Sequence, residues 1–241
     1  MPENERPPRP ESLATEEELT NDDVTVLGQI QTSSNGALLV ELKGDGKLAI
    51  YKPESLERPL WDFDAGLDRR ERASYILARQ LGLDFIPPIV IRDDLPFGRG
   101  SLQSFVDADF ERHYFDLYDD PTLQERFIEI AAFDIVANNA DRKAGHLLID
   151  GEHHLWGIDN ALCFHVEPKL RTVIWEFGAA PLDEHLVDAL RQAASDLDPE
   201  FGELLTQREC RTLQHRLRVL GSMATLIDLD VDERPYPWPL V

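Results

Sequence analysis

Residues 138–150, NNADRKAGHLLID, and residues 156–160, WGIDN, decide how this chain is read. Each stretch carries an aspartate, Asp141 and Asp159, beside an apolar run. The pieces HLLID and HLWGID are strand-like and are joined through a turn at Gly151. A hairpin of the two would bring both carboxylates to one place. The plainer alternative is that both aspartates cap turns.

Working outward, residues 123–139, LQERFIEIAAFDIVANN, set Leu123, Phe127, Ile130, Ala131 and Asp134 on related faces of a helix leading into Asp141. Further upstream, VTVLGQI (24–30), ALLVEL (37–42) and KLAIYKP (47–53) read as strands. They are separated by the turn sequences SSNG and KGDG, which predicts an antiparallel meander. Residues 68–82 place Ala73, Ile76, Leu77 and Leu81 at helical spacing and end on Gly82. IVIRDD and SLQSFVD add two strands around a Pro-Gly turn, making a sheet of about five strands with one helix. Downstream of the aspartates the pattern is helical: LVDALRQAASDL, then one long run from Phe201 to Ile227, then Pro-rich coil.

The expected architecture is therefore α+β and two-lobed, a kinase-like arrangement of a small antiparallel-sheet lobe with one helix and a mainly helical lobe. Residues 1–20, rich in Pro, Glu and Arg, are expected to be a flexible tail, residues 21–106 the N-lobe and residues 107–241 the C-lobe.

The same residues have a chemical order. Phosphoryl transfer asks a protein for a pliable turn over phosphates, a lysine on them, a carboxylate for a divalent cation and another near the attacking hydroxyl. Ser33, Ser34, Asn35 and Gly36 supply small residues between the first two strands, although a hairpin turn needs the same types. Lys52 ends the third strand, and Glu71 stands 19 residues later, in the expected first turn of the helix, where it could hold the ammonium. Asp141 and His146 reproduce the D-x-x-x-x-N spacing of a kinase catalytic loop with His in place of Asn, and Asp159 falls where the metal-binding Asp of such a loop pair stands.

The segments AIYKPESLERP, RRERASYILARQLGLDFIPP, GSLQSFV, NNADRKAGH and GIDNALCFH, in that order, resemble the phosphatidylinositol 3/4-kinase-related superfamily, especially its type II phosphatidylinositol 4-kinase-like branch and an actinobacterial family related to it. The resemblance covers roughly residues 25 to 180. It implies ATP as cofactor with Mg²⁺ or Mn²⁺, Lys52 as the ATP lysine, Glu71 as its partner, and Gln103, Ser104, Phe105 and Val106 as the hinge beside adenine. It also implies Asp141 as the catalytic-loop aspartate, Asp159 as the metal aspartate, and Asp134, Arg142 and Asn160 as their supports.

The chain departs from that pattern at His146, since imidazole is a softer ligand than an amide oxygen and suits Mn²⁺ or other transition metals better than Mg²⁺. Alternatively His146 touches no metal and only orients Asp141, or the protein binds nucleotide as a regulator or scaffold without turnover. His153 and His154 are read as turn residues and His165 as a core or rim residue.

The formal charge of −22, from 46 acidic and 24 basic residues, counts against nucleic acid as a partner. No membrane span is expected, and the cysteine-rich lipidated insertion of the type II enzymes is absent, so a protein or small-molecule hydroxyl is favoured over a lipid as acceptor. Two cysteines, Cys163 and Cys210, and no apolar leader in MPENERPPRP predict a cytoplasmic protein.

Overall fold

The computed structural model describes residues 13–30 and 36–241. Its first element overturns part of the expected tail. Thr15 and Glu18 form a capping box, with Thr15 N–H donating to the Glu18 carboxylate at 2.7 Å and Glu18 N–H to Thr15 Oγ1 at 3.3 Å. They start helix α1 (Glu16–Asn21), which buries Leu19. The T-x-x-E signature is present in the sequence, but the acidic composition around it hides a single apolar anchor. Residues 1–12 of that expected tail lie outside the described residues.

Strands β1 (Val24–Gln29), β2 (Leu38–Leu42) and β3 (Leu48–Pro53) form the expected meander. The turn that carries Ser33, Ser34 and Asn35 lies outside the described residues; Gly36 is within them, at φ 69°. Helix α2 (Leu67–Gln80) follows, entered through Gly66 at φ 97°, a left-handed conformation that glycine adopts without steric cost. Strands β4 (Ile89–Arg92) and β5 (Gly100–Ser104) complete an antiparallel sheet in the order β1-β2-β3-β5-β4. Leu38, Val40, Leu42, Ala49, Tyr51 and Leu102 form the small core that α1 covers with Leu19.

The remainder is mainly helical. After the short α3 (Tyr114–Leu117), helix α4 (Gln124–Ala137) buries Phe127, Ile130, Phe133 and Val136 and stops at Asn138, φ 54°, a left-handed cap that asparagine tolerates. The two-stranded hairpin of β6 (Leu147–Ile149) and β7 (Leu155–Gly157) pairs Leu147 with Gly157. A side chain at Gly157 would drive its Cβ to 2.6 Å from the Phe85 ring, so glycine is what lets the hairpin pack under the N-lobe. Helices α5 (Glu184–Ser195), α6 (Phe201–Leu204) and α7 (Gln207–Met223) close the lobe. The expected single run from Phe201 is divided because Thr206 and Glu209 make a second capping box, restarting the helix. One large core joins α2, α4, the hairpin, α5 and α7. The architecture is the two-lobed α+β fold, with α2 packed between the sheet and the helical lobe.

Candidate active site

Strand alternation sets the first part of the site. On β3 and β5, Lys52 opposes Ser101 and Ile50 opposes Gln103, so Lys52, Ser101 and Gln103 share one face of the sheet. From that face Lys52 Nζ reaches Glu71 Oε1, and it donates to Asp159 Oδ1 at 2.5 Å. Ser101 Oγ donates to the other Glu71 oxygen, Oε2, at 2.6 Å. Glu71 is in the second turn of α2, because the helix begins at Leu67, one residue before its sequence pattern suggests.

The hairpin supplies the second part. Ile158 N–H donates to the His146 carbonyl at 3.0 Å, continuing the pairing past β6 and β7 and laying His146 alongside Asp159. Asp159 is at φ 55°, a left-handed conformation for which aspartate is among the better-tolerated residues, and its half-exposed carboxylate faces the cleft. Its Oδ2 is 3.7 Å from His146 Nε2. The other ring nitrogen, Nδ1, accepts a long 3.4 Å contact from Lys143 N–H.

Asp141 is held by its backbone: its N–H donates to Asn139 Oδ1 at 3.0 Å, and Asn139 Nδ2 donates to Asp134 at 2.9 Å. Asp134 and Arg142 are both fully buried, and Arg142 Nε and Nη2 fork onto the carboxylate at 3.0 to 3.2 Å. Thr172 Oγ1 donates to the same carboxylate at 3.1 Å. Arg142 also donates to the Ile158 carbonyl at 3.2 Å and to Asn160 Oδ1 at 2.6 Å, tying the loop of Asp141 to the loop of Asp159. The expected supports Asp134, Arg142 and Asn160 thus form one connected buried network.

The charges in the cleft are coupled. Burial works against charge on Lys52, but Asp159 and then Glu71 outweigh it and raise its pKa. The Lys52 ammonium, against the effect of burial, holds Asp159 well below the usual carboxylate range. Burial lowers His146 to about 4, with the charge of Asp159 opposing, so the imidazole is neutral at physiological pH. Burial raises the pKa of Asp141, with Lys143 pulling the other way and Asp159 adding to the rise.

The expected hinge is less uniform. Gln103 lies inside β5 rather than in the connection, and its Oε1 is buried without a hydrogen-bond partner. Ser104 Oγ is taken up by Ala14 N–H at 2.8 Å, because the segment entering α1 crosses behind β5. Phe105 and Val106 begin the link to the C-lobe; Val106 is buried and the Phe105 ring faces Phe110 at 6.2 Å.

Two residues stand in the site's structure that sequence reading passed over. Lys143, two positions after Asp141, brings Nζ to 3.0 Å from Asp141 Oδ2; the D-x-K spacing was the available signal. Glu16 of α1 braces α2 from outside, meeting Arg72 at 2.6 Å, Arg79 at 2.5 Å and the Tyr75 hydroxyl at 2.9 Å. Arg72 carries the brace on to Glu200 in the C-lobe, while Arg70 on the other side of Glu71 reaches Glu209 and the Cys163 carbonyl. Nothing local in the sequence links residue 16 to residue 72. A cavity of about 380 Å³ borders this brace, lined by Glu16, Arg69, Arg72, Arg99 and Glu200.

No family model matches the chain. Among solved structures, its fold is similar to that of hydra Fam20 with sugar, at TM-score 0.61 and 14% identity over 86% of each chain. It is also similar to the Helicobacter pylori proinflammatory kinase CtkA, at TM-score 0.52 and 11% identity over 86% of this chain and 94% of that one. The fold is therefore kinase-like. At the level of sequence, Protein Rv2133c of Mycobacterium tuberculosis is 34% identical across 92% of this chain and 93% of its own length, and the chain belongs to the family of that protein. Among the described residues no helix is long and apolar enough to cross a membrane.

Proposed function

We propose that this chain is an ATP-dependent phosphotransferase of the phosphatidylinositol 3/4-kinase-like type, moving the γ-phosphate to a hydroxyl on a protein or small molecule. The observation that carries the reading is the convergence of Lys52, Glu71 and Asp159 beside Asp141 and Lys143. In this reading Glu71, fixed by Ser101, holds the Lys52 ammonium on the α and β phosphates. Ser33, Ser34, Asn35 and Gly36, the residue types expected of a phosphate-covering turn, would cover the phosphates in this reading. Adenine sits against Gln103, whose orphaned buried Oε1 wants a donor such as the exocyclic amine, and against Ser104, Phe105 and Val106.

Asp141 accepts the proton of the acceptor hydroxyl, a role suited to a carboxylate whose pKa is raised by burial. Lys143 neutralises charge on the phosphoryl group in transit. The donor set fits a divalent cation: Asp159 is anionic and His146 is neutral with a lone pair to give. Among the described residues no three or more His, Cys, Asp or Glu are placed to hold a metal ion by themselves, so phosphate oxygens and water would be needed to complete a shell, as is usual for Mg²⁺. To ligate a cation through Nε2, His146 would need its ring proton on Nδ1 and would give up the 3.4 Å contact with Lys143 N–H, which is weak at that length. A divalent cation held by Asp159 and His146 would supply charge neutralisation on the phosphates.

A thermal-shift series with ATP and either Mg²⁺ or Mn²⁺, followed by transfer from radiolabelled ATP, tests the reading. Metal-dependent stabilisation that survives Asp159→Ala would refute the site. Stabilisation without transfer to any acceptor would leave a nucleotide-binding regulator. His146→Asn is expected to shift the preference toward Mg²⁺; an unchanged preference assigns His146 to orienting its neighbours.

A further inference from the structure

Residues 235–241, PYPWPLV, lie across the loop that carries Asp141. The Pro235 carbonyl accepts from Thr172 N–H at 3.3 Å and from Trp175 Nε1–H at 3.3 Å. The Leu240 carbonyl accepts from Ala144 N–H at 2.8 Å, three residues past Asp141. Val241 comes against Gly145, where an added methyl group would stand 3.8 Å from its Cγ1. Thr172 in turn is bridged to Arg142, with Arg142 N–H donating to Arg171 at 3.0 Å and Val173 N–H to Arg142 at 3.1 Å. The segment therefore lies across the Asp141 loop and residues 171–175, which are paired to each other at Arg142 and Thr172.

Two features separate this contact from ordinary packing. The bonds all run one way, from N–H groups of the core to carbonyls of the segment, and the segment's prolines at 235, 237 and 239 have no N–H to offer. Recognition of that kind reads backbone carbonyls rather than particular side chains, a mode suited to Pro-rich peptides. The segment is also shallowly held. Within residues 235–241 only Pro237 is buried, and Trp238 is 88% exposed. A segment with so little buried apolar surface opens at low free-energy cost.

We propose that this surface is the docking site for a polypeptide acceptor segment, and that residues 235–241 occupy it in the resting chain as an internal strap that the acceptor displaces. The proposal rests on the reading of Asp141 as the acceptor-side carboxylate, and it names polypeptide as the acceptor class.

The test compares the full chain with a variant ending at Arg234, using a fluorescent peptide of sequence RPYPWPLV. The peptide is expected to bind the shortened chain and to bind the full chain at least about tenfold more weakly, the competition imposed by a strap at roughly millimolar effective concentration. Amide exchange at Ala144 and Thr172 should accelerate on shortening and slow again when the peptide is added. Transfer to a protein acceptor such as casein should rise about tenfold on shortening and fall with excess peptide. Equal peptide affinity for the two forms, or none for either, overturns the strap. Peptide binding as expected with no transfer by any form overturns instead the phosphotransferase reading. Should the shortened chain fail to fold, Pro237→Gly in the full chain removes the strap's one buried side chain. It must then raise exchange at Ala144 and admit the peptide, or the proposal fails.

Discussion

Replacing Asp134 with alanine removes the acceptor for four donors at once: Arg142 Nε and Nη2, Asn139 Nδ2 and Thr172 Oγ1. Both Asp134 and Arg142 are shut off from solvent, so the guanidinium is left charged, buried and without its carboxylate. Breaking a buried pair from one side costs about 3 to 5 kcal/mol, because desolvation of the surviving charge is no longer offset. For a chain of this length each kcal/mol moves Tm by about 2 to 4 °C, so the expected fall is roughly 6 to 20 °C. Urea unfolding and calorimetry would measure it. The double variant Asp134→Leu with Arg142→Met should recover most of the loss in stability, since neither charge then remains, yet transfer should stay low because Asn139 and Asn160 have lost their anchor. A loss below about 1 kcal/mol in the single variant, or a double variant as unstable as the two singles summed, refutes the view of this network as the frame of the site.

Three other outcomes follow from the geometry. Lys52→Ala and Asp141→Ala should each abolish transfer, but only Lys52→Ala should greatly weaken nucleotide binding by calorimetric titration; equal weakening would contradict the separate roles. Glu16→Ala should raise the KM for ATP and speed amide exchange along α2, with Glu16→Gln intermediate, because the brace on Arg72, Arg79 and Tyr75 is what α1 adds to the position of Glu71; a lowered Tm with unchanged KM and exchange would make Glu16 merely structural. His146 has its folded pKa depressed from 6.5 to about 4, so stability is complete above pH 6.5 and is lost as pH falls toward 4, by up to about 3 kcal/mol. His146→Asn should remove that part of the acid sensitivity, read as a flatter plot of urea midpoint against pH.

Much of the site was legible before any coordinates. Lys52 could be placed because strand alternation and the Pro at 53 mark a strand end, and Asp159 because a hairpin must follow Gly151. Gln103 was read within the strand SLQSFVD and also as part of the hinge; β5 holds it and ends at Ser104, a boundary the apolar run Phe105-Val106 that follows does not mark in the sequence. Glu16 was hidden in an acidic stretch: its worth depends on arginines that are 56 and 63 residues away in sequence, a separation no local pattern reports. The contact of residues 235–241 was invisible for the same reason, because a Pro-rich run looks like coil whether it hangs free or lies against the Asp141 loop.

The amino-acid sequence alone determined the class of fold, since apolar periodicity and turn residues are local, and it determined which residue types could handle phosphate. Tertiary structure decided which of them meet. Lys52 joins Glu71 and Asp159 because β3, α2 and the β6–β7 hairpin converge. The loops of Asp141 and Asp159 are locked together because Arg142 is buried between them. Those contacts are set by packing across the whole chain, where a buried charge must find its partner wherever the fold places one.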